Sequence, residues 1–246
     1  MNHIRSTRPR RAPAVLVLLS LAGAAGAAGP GRPVGAAADR RFDPESRVFR
    51  STATPPLRLR VPPGFDYLGR LEFPLKGVAW VDRHLFADRE GGRARRLIVL
   101  QFEGFLDGVD GAYRFRIPRG EGISGGNYRF SPEPVRLGGQ EYVHNTWAFD
   151  QEKNAAEEPG AESYRTLRFL RERGVVLDAE LIISRFVRAV GDDARHELIL
   201  FYMEPLQASG HRLAEFPDGG PPRPAYDTLS AAVTRRSLDC LHLLED

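Results

Sequence analysis

Residues 180–206, ELIISRFVRAVGDDARHELILFYMEPL, constrain the fold more than any other stretch. The run holds eight β-branched or aromatic residues, and its one breaker before Pro205 is Gly191, beside Asp192 and Asp193. Such side chains suit a pleated, half-buried surface, and a glycine next to aspartates suits a tight turn. The stretch therefore predicts a strand, a turn and a second strand. The second strand is apolar on both faces, with Leu198, Leu200 and Tyr202 on one and Ile199, Phe201 and Met203 on the other. A strand of that kind is expected to be central and covered on both sides.

Residues 78–87 and 96–105 predict a second hairpin around Glu90-Gly91-Gly92-Arg93, whose glycines are free to take positive φ. Centring the turns on Gly91–Gly92 and on Asp192–Asp193 sets two registers. Val81, Arg83 and Leu85 then face Phe102, Leu100 and Ile98; Ile183, Arg185 and Val187 face Tyr202, Leu200 and Leu198. Each hairpin carries one arginine on an otherwise apolar face. Asp88 with Arg95, and Arg188 with Glu197, are expected as matching ion pairs near the turns. The match points to a duplication, with chance likeness between apolar hairpins as the alternative. A slip of one residue in either register would turn every side chain to the other face.

Around these hairpins the chain reads as a β-rich α+β domain. An antiparallel meander or partly closed barrel of eight or nine strands is expected, with one helix before the last hairpin and one after it. Residues 57–61 alternate apolar with arginine, and residues 65–68, 113–117, 127–130 and 141–149 are further short strands. Residues 153–160 are polar and lead into a helix over 161–173, ended by Gly174. Residues 226–244 form the last helix, with Leu229, Val233, Cys240 and Leu244 on its packing face, the expected cover for the sheet.

The ends of the chain set its expected destination. Residues 1–29 read as a secretory signal: a basic start ending at Arg11, an apolar core over 15–21, then Ala-x-Ala cleavage options. The apolar core is too short for a membrane span. Arg10–Arg11 leaves twin-arginine export open beside the general route, and the absence of a cysteine after the core argues against a lipoprotein anchor. Residues 30–55, rich in Gly, Pro, Ala and Arg, read as a disordered linker, and residues 56–246 as one globular domain. A periplasmic or secreted protein is expected, with no integral span once the signal is removed.

Charge supports no nucleic-acid partner. The net charge of +3 belongs to the leader: without its four arginines the chain has 31 basic against 32 acidic residues. The arginines are spread along the chain, as a codon bias would leave them. Cys240 is the single cysteine, so no internal disulfide forms, and its apolar surroundings suit a buried small hydrophobe.

Candidate sites follow from the two registers. Arg83 and Arg185, with Phe102 and Tyr202 on the same faces, form a candidate ligand-binding set. A buried arginine needs an anionic or carbonyl partner, which is either an internal acid such as Glu204 or the acidic head of an apolar ligand. The other face of the first hairpin gathers Trp80, Asp82, His84, Gln101 and Glu103. Asp82, His84 and Glu103 are candidate catalytic groups for acid–base chemistry, although a solvated sheet face also alternates polar residues in this way. Glu103 with Glu204 as a glycosidase pair is set aside, because the register puts them on opposite faces. The glycine loop over 120–126 fits the dinucleotide and nucleophile-elbow patterns, but Pro118 precedes it and no helix follows. The remaining histidines lack metal-ligand spacing, and no cofactor or metal is expected. Three functions stay open: a non-catalytic envelope protein binding an apolar or anionic small molecule or a protein partner, a hydrolase using the Asp82, His84 and Glu103 patch, and a structural or assembly module.

Overall fold

A computed structural model describes residues 40–157 and 162–245; the expected signal segment and the start of the expected linker lie outside these. Strands β1 (Arg40–Asp43), β2 (Val48–Ser51) and β3 (Leu57–Arg60) come first, followed by β4 (Phe65–Leu75), β5 (Ala79–Glu90) and β6 (Arg93–Phe105). Next come β7 (Tyr128–Phe130), β8 (Val135–Leu137), β9 (Gln140–Asp150), helices α1 (Gln151–Glu157) and α2 (Glu162–Arg171), then β10 (Glu180–Val190) and β11 (His196–Pro205). Helix α3 (Pro224–Cys240) and the short β12 (His242–Leu243) complete the described elements. The strands form two antiparallel sheets. One is β1-β2-β3-β12; the other runs β4-β5-β6-β11-β10-β9-β7, with β8 on β9, and does not close into a barrel.

The β-rich α+β expectation is met, with three corrections. Residues 40–55, expected as linker, supply β1 and β2. Their Pro- and Arg-rich composition masked Phe42, Val48 and Phe49; Phe49 is fully buried and packs its ring 6.1 Å from that of Phe102. Residues 113–117 form no strand, and Tyr113 instead ties its backbone N–H to the Ala194 carbonyl at 2.8 Å. Two helices, not one, precede the last hairpin, because α1 takes up most of the polar stretch that leads into the expected helix.

β11 is central, between β6 and β10, and it is buried on both faces as its sequence requires. One face is dry. It packs Phe86, Leu100, Phe186 and Leu200 against Phe49 and Leu59 of the small sheet and against Tyr226, Leu229 and Val233 of α3. The opposite face packs Leu85, Leu97, Val99 and Ile183 against Phe169 and Leu170 of α2.

Both expected registers are off by one residue, for two different reasons. In the first hairpin, Gly91 and Gly92 take φ of 55° and 82°, and Glu90 pairs with Arg93 as expected. A bulge then leaves Arg95 unpaired between Arg89↔Ala94 and Asp88↔Arg96, so Arg83 pairs with Gln101 and Asp82 with Phe102. In the second hairpin, Val190 pairs with His196 across the odd loop Gly191 to Arg195, and Arg185 pairs with Phe201. Each single slip exchanges the faces of one strand relative to its partner. The expected Asp88–Arg95 ion pair forms at 2.7 Å. Arg188 instead pairs with Leu198 and points a hydrogen bond of 3.3 Å at the Tyr142 hydroxyl, while Glu197 pairs with Ala189.

The two slips run in the same sense, so the correspondence between the hairpins survives. Leu100 pairs with Leu200 between β6 and β11, and the strand order β4-β5-β6-β11-β10-β9 reads alike from either side of that pair. An antiparallel ladder has a local two-fold axis through such a pair. That axis relates Gln101 to Phe201, and hence their partners Arg83 and Arg185; one strand further out it relates Leu71 to Asn145.

Candidate functional site

On the face opposite the small sheet, α2 covers one end of the ladder and leaves a cavity of about 410 Å³ over the rest. Its apolar wall includes Trp147, Phe149, Ile183, Ile199, Phe201 and Met203. Alternation along four strands brings five polar side chains to the same place. Arg83 comes from β5, Gln101 and Glu103 from β6, Glu197 from β11 and Arg185 from β10.

The two arginines differ in how they are held. Arg83 donates Nε to Gln101 Oε1 at 2.6 Å, and its terminal nitrogens bond the Thr166 hydroxyl and both the carbonyl and the carboxylate of Glu162. Arg185 is 8% exposed, and its Nε donates to Asn145 Oδ1 at 3.0 Å. Among the described residues that is its hydrogen bond, supplemented by the Trp147 ring with its centroid 5.8 Å from the guanidinium carbon. Burial lowers the pKa of both guanidiniums, opposed by Glu162 and Glu103 at Arg83 and by Glu197 and Glu162 at Arg185.

Glu103 and Glu197 are direct cross-strand partners. The Tyr113 hydroxyl donates to Glu103 Oε1 and Gln101 Nε2 donates to Glu103 Oε2, each at 2.9 Å. Burial, reinforced by the charge of Glu162, pushes the Glu103 carboxyl up to about 7 despite those donors. Burial and the neighbouring Glu103 raise Glu197 well above the ordinary carboxylate range. The pair therefore holds a proton near neutral pH.

The register decides the fate of each expected site residue. Arg83 and Arg185 line the cavity, whereas Phe102 and Tyr202 lie on the dry face, so the expected ligand-binding set is split. The Asp82, His84 and Glu103 patch is split too: Glu103 borders the cavity, while Asp82 and His84 are buried under the small sheet. Asp82 accepts from Arg40 at 2.9 Å and from Arg70 at 2.6 Å, and lies 3.4 Å from His84 Nε2. Burial would raise the Asp82 carboxyl, but hydrogen bonds from His84 and Arg70 outweigh it and hold it well below its usual range. Burial lowers His84, whose Nδ1 meets the Tyr67 hydroxyl at 2.8 Å. This is a buried, charge-paired internal cluster rather than a solvated patch. Glu204 lies on the dry face, bonded by Tyr202 at 2.9 Å and by Arg236 at 3.1 Å, so it partners neither cavity arginine nor Glu103.

Glu197, Gln101, Tyr113 and Asn145 were not expected as one site. One signal for them was present: Gln101-x-Glu103 places polar residues two apart on a strand, which puts both on one face. Glu197 faces the cavity instead of the Arg188 partner that the expected register gives it. No protein-family model matches this chain, and no curated protein or solved structure matches it either. Two other clefts are less suited to a ligand. The one between β11 and α3, about 620 Å³, has its charges paired as Asp88–Arg96 and Glu204–Arg236. The one beside β9 ends on a buried neutral relay in which His144 bridges Ser131 and Ser184, both at 2.8 Å, and burial holds His144 down at about 4. Among the described residues no group of three His, Cys, Asp or Glu is placed to hold a metal ion.

Proposed function

We propose that the protein is an exported binding protein whose cavity holds a small, largely apolar molecule by an anionic head. The observation that carries this reading is Arg185, a guanidinium buried to 8% exposure whose described hydrogen-bond acceptor is the neutral Asn145. An arginine in that position is stabilised by an incoming carboxylate or phosphate, which a planar guanidinium takes in two parallel bonds. The aromatic and aliphatic wall suits an apolar tail, and about 410 Å³ falls within the usual range of small-molecule sites. Export rests on the basic start and apolar core of residues 1–29. No helix among the described residues is long and apolar enough to cross a membrane.

A hydrolase based on Asp82, His84 and Glu103 loses its geometry, because those groups lie on opposite faces of the sheet. The exposed large apolar side chains among the described residues are Tyr164 and Val176, which gives little support to an assembly module docking through an apolar edge strand. Calorimetric titration with octanoate and with octylamine tests the binding reading. Octanoate should bind, octylamine should not, and Arg185→Met should weaken octanoate at least about tenfold. Equal binding of acid and amine, or unchanged binding by the variant, would overturn it.

A further inference from the structure

The cavity holds a second polar group that its surroundings leave unmet. Glu103 and Glu197 face each other from β6 and β11 and are 6% and 2% exposed. Both oxygens of Glu103 accept hydrogen bonds, from Tyr113 and from Gln101. Oε2 of Glu197 is buried and has no hydrogen-bond partner among the described residues. Two buried carboxyl groups in contact do not both ionise, so one keeps a proton. Hydrogen bonds donated to Glu103 favour its charged form, which places the proton on Glu197. Glu197 can give that proton to Glu103 through one oxygen. Its other oxygen is then an acceptor with nothing to accept, which in a buried site is costly. Arg185 lies on the same wall, close enough that its charge and that of Glu197 shift one another.

Resting on the reading that Arg185 takes the anionic head, we infer that Glu197 recognises a neutral hydrogen-bond donor beside that head. The ligand class is then an apolar-tailed acid with an O–H or N–H next to its carboxylate, of the 2-hydroxy acid or N-acylamino acid kind. The hydroxyl or amide proton meets Glu197 Oε2, the carboxylate meets Arg185, and the tail lies along Trp147, Phe201 and Met203. Because both Glu103 oxygens are engaged by protein donors, the pair is arranged to receive a ligand donor rather than to activate water.

Three eight-carbon acids test this: octanoate, 2-hydroxyoctanoate and 2-methoxyoctanoate, titrated into the whole protein. The methoxy compound keeps the oxygen and removes the donor. The hydroxy acid should bind about tenfold tighter than either of the others. Glu197→Met, which removes the acceptor, should abolish that preference, and Glu197→Gln, which keeps an amide oxygen, should retain much of it. Affinities of the three acids within twofold of one another would overturn the inference and leave the Arg185 reading standing. Failure of all three to bind would overturn both. The wild-type comparison decides the matter even where a Glu197 variant fails to fold.

Discussion

The β4-β5-β6 and β9-β10-β11 halves of the large sheet are related by the two-fold at Leu100 and Leu200, yet they solve the same burial problem differently. On the cavity face, Arg83 is engaged by Gln101, Thr166 and Glu162, whereas its counterpart Arg185 hydrogen-bonds Asn145, although both line the same volume. On the dry face, the positions of Asp82 and Arg70 correspond to Ser184 and His144. The first half buries a charge cluster there; the second buries a neutral chain in which Ser184 joins His144 at 2.8 Å and Ser237 at 2.9 Å. Helix α2 explains the first difference, because it packs over one end of the ladder and brings Glu162 and Thr166 into hydrogen bonds with Arg83 alone of the two. The lesson is that equivalent ladder positions become structural or functional according to what covers them.

Substitution at equivalent positions should expose the asymmetry. The largest effect is expected from Asp82→Asn, which removes the buried carboxylate shared by Arg40 and Arg70 and should cost about 4 kcal/mol in urea unfolding. Its counterpart Ser184→Ala should cost about 1 kcal/mol, and similar losses at the two positions would refute the contrast. Next, Arg83→Met should cost roughly 3 kcal/mol by leaving the buried Gln101 Oε1 without its donor and removing the bonds that tie α2 to β5. Arg185→Met should leave thermal stability unchanged or raised, since it removes a buried charge that no acid among the described residues hydrogen-bonds. A loss at Arg185 as large as that at Arg83 would show that Arg185 is held by something other than a ligand.

The two faces should also respond to pH with opposite sign. Asp82 titrates lower in the fold than in the unfolded chain, so its contribution is present above about pH 4 and is lost as acid protonates the folded carboxyl. Glu103 titrates higher, moving from 4.5 to about 7, so its contribution is complete below 4.5 and is lost as pH rises through about 7. Its contribution to melting curves falls by on the order of 2 kcal/mol between those limits, against the rise that the lowered pKa values of His84 and His144 give as pH increases over the same range. Glu197→Gln, which removes the partner carboxyl, should flatten that fall. Wild-type and Glu197→Gln profiles that run parallel over that range would mean that the pair shares no proton. The smallest effect is assigned to Tyr202→Phe: about 1 kcal/mol from the lost bond to Glu204, with octanoate affinity unaltered because Tyr202 lies on the dry face.

Much of the scaffold was legible in the sequence. The double-sided apolar pattern of residues 198–203 required a central strand, and one arginine per hairpin marked the two positions that now face the cavity. Period-two alternation carries both facts, and it needs only the local order of residues. The linker reading failed at residues 40–55 because composition outweighed the few apolar residues that pin β1 and β2. The split of the candidate sites has a sharper cause. With a period of two, one extra residue decides which face a side chain occupies, and neither the bulge at Arg95 nor the odd loop after Val190 has a sequence mark strong enough to locate it. Which residue types would lie on strands, and where their charges would fall along them, was thus a local matter. That Glu103 meets Glu197, that Asp82 is sealed under β1 to β3, and that Arg83 is held by an acid from α2 while Arg185 is left to Asn145, depended on strand pairing and on the reach of α2. Those are contacts between segments far apart in the chain, and only the packed tertiary structure sets them.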